Sequence, residues 1–205
     1  MVVIAIIAVV TVAGSAAFKS MGGGNVKQRA AANQAVAAID QARSQALASG
    51  EDVFLVFATD DTDLGELSYR ATALYKRNPN SADGLPLIQD GNWNILPQGV
   101  CFYSATPSET PGDILTTSPK DQTFKYGDKD ISAPYLLFSS QGAIVSPTIA
   151  QTGSGNEASL YIIQGVYKSS GFTPTAKGST GKPVKDTITV SRYTGRVKHQ
   201  AYKEN

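Results

Sequence analysis

Hydrophobic and polar positions follow three successive patterns along this chain, and the changes of pattern divide it. From Met1 to Phe18 there is no periodicity, because every residue is uncharged. Val2, Val3, Ile4, Ile6, Ile7, Val9, Val10 and Val12 form an apolar run interrupted only by small residues and Thr11. As a helix this stretch is about 27 Å long, close to the ~30 Å hydrocarbon core of a bilayer. It is apolar all round, as a helix in lipid must be. Ala5, Ala8, Ala13, Gly14, Ser15, Ala16 and Ala17 are small enough to let a second helix approach closely. A secretory signal peptide would carry basic residues before the apolar run, and none stand there, although "SAA" resembles a cleavage site. A buried core helix is the alternative for a short apolar run. The expectation is a membrane span over 1–21 that also packs against neighbouring helices. Lys19, Lys27 and Arg29 all follow it, and their count alone would place the remainder in the cytoplasm.

The second pattern is helical. Gly22, Gly23 and Gly24 each cost a helix about 1 kcal/mol relative to Ala, so 22–25 is expected to be a hinge or melted turn. Over 26–50, Ala35, Ile39, Ala42 and Ala46 recur at helical spacing with Val36 and Leu47 beside them. Arg29, Gln34, Gln41 and Arg43 fall mostly elsewhere on the wheel, and Gly50 is a C-terminal stop. This predicts an amphipathic stem helix with a thin, Ala-rich stripe that a sheet can approach closely.

The third pattern is that of strands, over 51–205. "DVFLVFA", "GVCFYS", "APYLLFS", "GAIVSPTI", "ASLYIIQGVYK", "DTITVSR" and "GRVKHQAY" are strand candidates. "LSYRATALYKR" alternates, with Leu67, Tyr69, Ala71, Ala73 and Tyr75 on one side and Ser68, Arg70, Thr72 and Lys76 on the other. Spacers such as "NPNSADG", "SETPGD" and "TGSGN" carry turn chemistry. The fold class expected is therefore α+β: a long N-terminal helix, membrane-spanning in its first half, packed on a mostly antiparallel β head.

Composition removes several functions. The 205 residues carry 18 Lys and Arg against 17 Asp and Glu, a net charge of +1 that does not point to nucleic acid in bulk. Cys101 is the only cysteine, so neither an internal disulfide nor a paired-cysteine zinc site can form. His199 is the only histidine, close to the C-terminus, and is expected to be solvated rather than catalytic. "SMGGGNVKQ" lacks the Gly-Lys-Ser/Thr ending of a phosphate loop and follows an apolar span rather than a strand. No enzyme, cofactor or small-molecule substrate is expected. "ATDDTDLGEL" gathers Asp60, Asp61, Asp63 and Glu66, but without EF-hand spacing it reads as a solvated loop, with calcium the alternative.

The order of these segments resembles the type IV pilin-like proteins. "VVIAIIAVV" is similar to the middle of a prepilin N-terminal helix, and "AVAAIDQARSQALASGEDVFLVF" to the helix-to-first-strand passage of H-type pseudopilins, the GspH/FimT family. "YLLFSSQGAIV", "SLYIIQG" and "DTITVSRYTGRVK" resemble that family's closing strands and final Gly-Arg-Val hairpin. "YRATALYKR" and "TITVSRYTGRVK" look most like the Verru/Chthon cassette protein D group of prepilin-type proteins. The resemblance covers both ends and is vague between about Asn78 and Pro134. The family's Gly followed by Phe-Thr-Leu-x-Glu is not in the sequence, so no cleavage or methylation residue is carried over.

The resemblance implies a structural, minor subunit of a type IV pilus or a type II secretion-like pseudopilus. It would assemble with other pilin or pseudopilin subunits through its N-terminal helix, single-pass in the inner membrane with a periplasmic head. Some FimT-like proteins bind DNA through a basic Gly-Arg-x-Arg tail. Here Gly195, Arg196, Val197 and Lys198 stand in that place, with Arg192 and Lys203 nearby. Lys keeps the charge but loses the planar fork of Arg. A DNA-uptake pilin is thus one alternative. A simple membrane-anchored extracytoplasmic β domain is the other.

Overall fold

A computed structural model of the chain describes residues 23–59, 64–80, 87–104, 112–147, 156–168, 171–178 and 181–202. The apolar residues Val2 to Val12 and the whole of 1–21 therefore lie outside the described residues, as do Asp60, Asp61, Asp63 and Lys203.

Helix α1 runs from Gly23 to Ser49. Gly23 and Gly24 are helical, so no melted turn stands at these two positions. The helix ends as its sequence dictates: Gly50 takes φ +70° and its N–H donates to the Ala46 carbonyl at 3.0 Å. Its buried stripe is Ala31, Ala32, Ala35, Ala38, Ile39, Ala42 and Ala46, none more than 5% exposed. Only one of these is larger than alanine, so the helix axis sits close to the strands beneath it. Leu47 lies at the margin, 46% exposed.

Two five-stranded sheets lie against this helix. The first has the order β3-β2-β1-β7-β8, with β1 Val53–Phe57, β2 Ala71–Lys76, β3 Ile88–Ile95, β7 Tyr135–Phe138 and β8 Ile144–Ser146. The second is built on the long β9 Glu157–Lys168, which pairs with β4 Val100–Tyr103, β10 Gly171–Pro174 and β11 Lys185–Ser191, and β11 pairs with β12 Val197–Gln200. All of these pairings are antiparallel. A small hairpin, β5 Phe124–Tyr126 with β6 Lys129–Ile131, and a one-turn helix α2 Ile114–Thr117 complete the described elements with a 3-10 turn at Gly65–Leu67.

The main core lies between α1 and both sheets. Val53, Leu55, Phe57, Leu136 and Phe138 meet the helix from the first sheet, and Ala158, Leu160, Ile162, Ile188 and Val190 from the second. A second core covers the opposite face of the first sheet, where Phe54, Val56, Ala71, Ala73 and Tyr75 pack under Leu87, Phe124 and Ile131. This explains why "VFLVF" is a continuous apolar run: β1 is buried on both faces.

β2 departs from the expected half-exposed strand for the same reason. Ala71 to Tyr75 are all buried, although Ala71, Ala73 and Tyr75 do share one face. The expected alternation fails upstream of Ala71, where Tyr69 has φ +57° and turns into the main core instead. β3 was not expected. It is an edge strand carrying Gln89, Asp90, Gly91 and Asn92, so it shows no apolar alternation.

Candidate functional site: the base of the head and the C-terminal hairpin

At the start of α1, Val26 is 67% exposed and Lys27 is exposed, whereas Gln28 is 3% exposed. Gln28 is thus the first buried side chain of the helix among the described residues. Its Nε2 donates to the carbonyls of Ile162 at 3.2 Å and Val184 at 3.3 Å, and its Oε1 accepts from Gln164 Nε2 at 3.2 Å. A buried amide with its polar groups matched in this way fixes where the helix enters the head. The helical period contains this residue, since 28, 31, 32 and 35 lie on one stripe, but a glutamine carries no apolar signal by which the sequence marks it as buried.

Beside Gln28 a cleft of about 280 Å³ is lined by Arg29, Lys177, Gly178, Val184, Asp186, Ala201 and Tyr202. Asp186 is 4% exposed. It accepts from the Tyr202 N–H at 3.0 Å, and His199 Nε2 lies 3.2 Å from its other oxygen. His199 is exposed, as expected, but it is held in place rather than at a loose end. It sits in β12 opposite Ile188 and ties the end of the chain to a buried carboxylate. Gly178 stands directly against Tyr202: a Cβ there would meet the Tyr202 hydroxyl at 2.5 Å, so the tyrosine would have to shift.

The hairpin of β11 and β12 carries the basic candidates, and the structure scatters them. Arg196 is exposed at the turn, with its N–H donating to Thr194 Oγ1 at 3.3 Å and its carbonyl accepting from the Ser191 N–H. Lys198 is opposite Thr189 and its Nζ is 3.7 Å from Glu157. The Arg192 carbonyl accepts from Ile144 N–H, joining the hairpin to β8. Gly195 takes φ +62°, and a Cβ there would stand 2.3 Å from the Gly142 carbonyl oxygen and 2.8 Å from Arg43 Cδ. Arg43 in turn donates from Nε to the Thr194 carbonyl at 2.7 Å. The Gly of Gly-Arg-Val is thus a docking point between hairpin, β7–β8 turn and helix.

Remaining candidates do not assemble a reactive centre. Cys101 is buried, and burial pushes its thiol up to about 12, which keeps it protonated and unreactive. Among the described residues no His, Cys, Asp and Glu cluster suits a metal ion. Glu66, in the exposed 3-10 turn, is the one described member of the acidic loop. Of the aromatics between Asn78 and Pro134, Phe102 is fully buried, while Trp93 and Tyr103 are half-buried. Asp113, which no sequence signal singles out, is fully buried at the start of α2. Its Oδ1 accepts from Leu115 N–H at 3.0 Å while Oδ2 has no partner. Burial raises its carboxyl to about 6, against the opposing effect of hydrogen bonds from Ser104 and Leu115. No helix among the described residues is long and apolar enough to cross a membrane.

A family model described as type II transport protein GspH matches residues 31–165. Among solved structures, the chain is similar to the type IV minor pilin FimU of Pseudomonas aeruginosa, at 16% identity over 84% of this chain and 91% of that one, with a TM-score of 0.40. It is also similar to the minor pseudopilin EpsH from the type 2 secretion system of Vibrio cholerae, at 13% identity over 87% of this chain and 99% of that one, with a TM-score of 0.46. No curated protein matches it.

Proposed function

Since the chain belongs to the GspH family of type II transport proteins, a family of structural pseudopilins that assemble with other pilin-like subunits, we propose that it is a minor subunit held in its filament by the N-terminal helix. The observation that carries this reading is the exposed start of α1. Val26 and Lys27 are exposed, Gln28 is the first buried side chain of the helix among the described residues, and the apolar run of 1–21 precedes them in the sequence. Within lipid, such a run packs with neighbouring helices through small residues and van der Waals contact. Drawn out of lipid, its apolar surface is held in a bundle by the hydrophobic effect, at about 25 cal/mol per Å² buried. The head, which carries no reactive constellation among its described residues, then serves as a surface for neighbours rather than as a catalyst. The proposed place before assembly is the inner membrane, single-pass, with the head on the periplasmic side.

Ile6→Arg or Ile7→Arg tests this. A charge at the centre of a span costs about 2.5–3.5 kcal/mol on insertion scales. The variants should leave the membrane fraction and drop out of assembled filaments. A variant that still fractionates with membranes overturns the reading of 1–21 as a span.

A further inference from the structure

The two ends of α1 differ in charge balance. At its C-terminal end, Lys76 and Arg77 share a cleft with Glu51 and Asp52, so cations and carboxylates are matched. At its N-terminal end they are not. Lys27 and Arg29 are exposed on the first turns, on opposite flanks of the buried Gln28. Lys177 and Lys182 are exposed on the adjoining turn, where Gly178 N–H donates to the Lys182 carbonyl and Gly178 borders the same cleft as Gln28 and Arg29. The chain contains no acidic residue before Asp40, and from 171 to its last residue only Asp186 and Glu204, the latter outside the described residues and next to a further cation, Lys203. The Asp186 carboxylate is buried and taken by Tyr202 and His199, so it does not neutralise the cations around it. Among the described residues none of the four cations has a carboxylate partner.

We propose that this basic end of the head, formed by Lys27, Arg29, Lys177 and Lys182, docks on the surface of an anionic phospholipid bilayer. The proposal rests on the reading of 1–21 as a membrane span. Position supports it. Nine residues take the chain from Phe18 to Lys27, so these cations follow closely on the proposed span, in the juxtamembrane position where basic residues feel an anionic surface. Side chains on a helix lean toward its N-terminus, which directs Lys27 and Arg29 to the same side. Tyr202, 37% exposed beside the cleft, is an aromatic of the kind that settles at headgroup level. Each such cation near an anionic leaflet is worth about fivefold in association, and a pair about thirtyfold.

The test uses the full chain in vesicles of phosphatidylcholine alone and of phosphatidylcholine with about one-third phosphatidylglycerol, the anionic component that supplies the surface potential. Acylation rates of Lys27, Lys177 and Lys182 are read by peptide mass spectrometry against Lys76 in the same sample. In the anionic vesicles the three should slow at least fivefold relative to Lys76, and the protection should vanish in high salt. Replacing Lys177→Gln together with Lys182→Gln should return Lys27 to the rate it has in phosphatidylcholine. Equal rates in both vesicles, with the protein floating with both, overturn the docking and leave the span intact. Failure to float with either overturns the span reading and the docking with it. Protection by duplex DNA without protection by anionic vesicles assigns the surface to nucleic acid and also overturns the proposal.

Discussion

Gly195 is held by two independent constraints: a left-handed backbone, and the Gly142 carbonyl oxygen 2.3 Å from where a Cβ would stand. Gly181 shares the left-handed backbone at φ +75° but faces open space. Gly181→Ala should therefore cost about 1–2 kcal/mol, the price of the backbone alone, and Gly195→Ala should cost clearly more. Urea unfolding of the two variants gives the comparison, and equal losses would remove the packing argument. Asp113 bears on pH in the opposite way from a salt-bridged carboxylate. Its folded value of about 6 lies above the usual carboxylate value, so between about pH 4 and 6 the folded state holds the extra proton. Stability from this group is full below that window and is lost as pH rises through it, by on the order of 2–3 kcal/mol. Asp113→Asn should flatten this part of the stability–pH curve, as followed by thermal melts across the window. An unchanged slope would mean that Oδ2 has a partner in solution.

At the level of elements, the helix–sheet seam is made of alanines, so it has little slack in either direction. Ile39 is its one large side chain, and Ile39→Ala should destabilise by about 2–5 kcal/mol. Ala42→Leu should also destabilise, by about 1–3 kcal/mol, although it adds apolar volume, because the strands leave no space for it. Stabilisation by Ala42→Leu in a denaturant titration would show that the seam is looser than described. Gln28 pins the entry of the helix. Gln28→Ala removes three hydrogen bonds, to the Ile162 and Val184 carbonyls and from Gln164 Nε2, and should cost about 1–3 kcal/mol in a denaturant titration.

For the whole molecule, the arrangement is polar along the helix. One end of the head is basic and adjoins the apolar run, and the other has matched charges. The C-terminal hairpin closes the head by docking on the β7–β8 turn and on Arg43. This gives the Gly-Arg-Val signature a role in folding that is independent of any ligand. Loss of the Arg43 contact by Arg43→Ala should loosen the hairpin locally, seen as faster amide exchange over 188–199 with little change in α1. Uniformly faster exchange would mean that the hairpin and the rest of the head unfold as one unit.

Wherever one physical signal dominated, the residues alone were enough. The helix with its glycine stop and most of the central strands are legible in the residues, because burial of one face or both imposes a pattern on them and Gly50 supplies the left-handed end. The family was legible from the order of those segments. Other features came only from the tertiary structure, and each depends on residues far apart in sequence. β3 is an edge strand whose pairing with β2, not its own composition, makes it a strand. β2 lost its expected exposed face because the helix α1 covers the side that carries Thr72 and Leu74, while the small hairpin β5–β6 covers the side of Ala71, Ala73 and Tyr75. Gln28 and Ile162, and the cations of the helix start with those of the 177–182 turn, are brought together only when α1 and the second sheet meet, whereas His199 and Asp186 meet through the pairing of β11 with β12. Periodicity reports how buried a position is along its own element. Which distant polar groups share that burial is decided by how the elements pack.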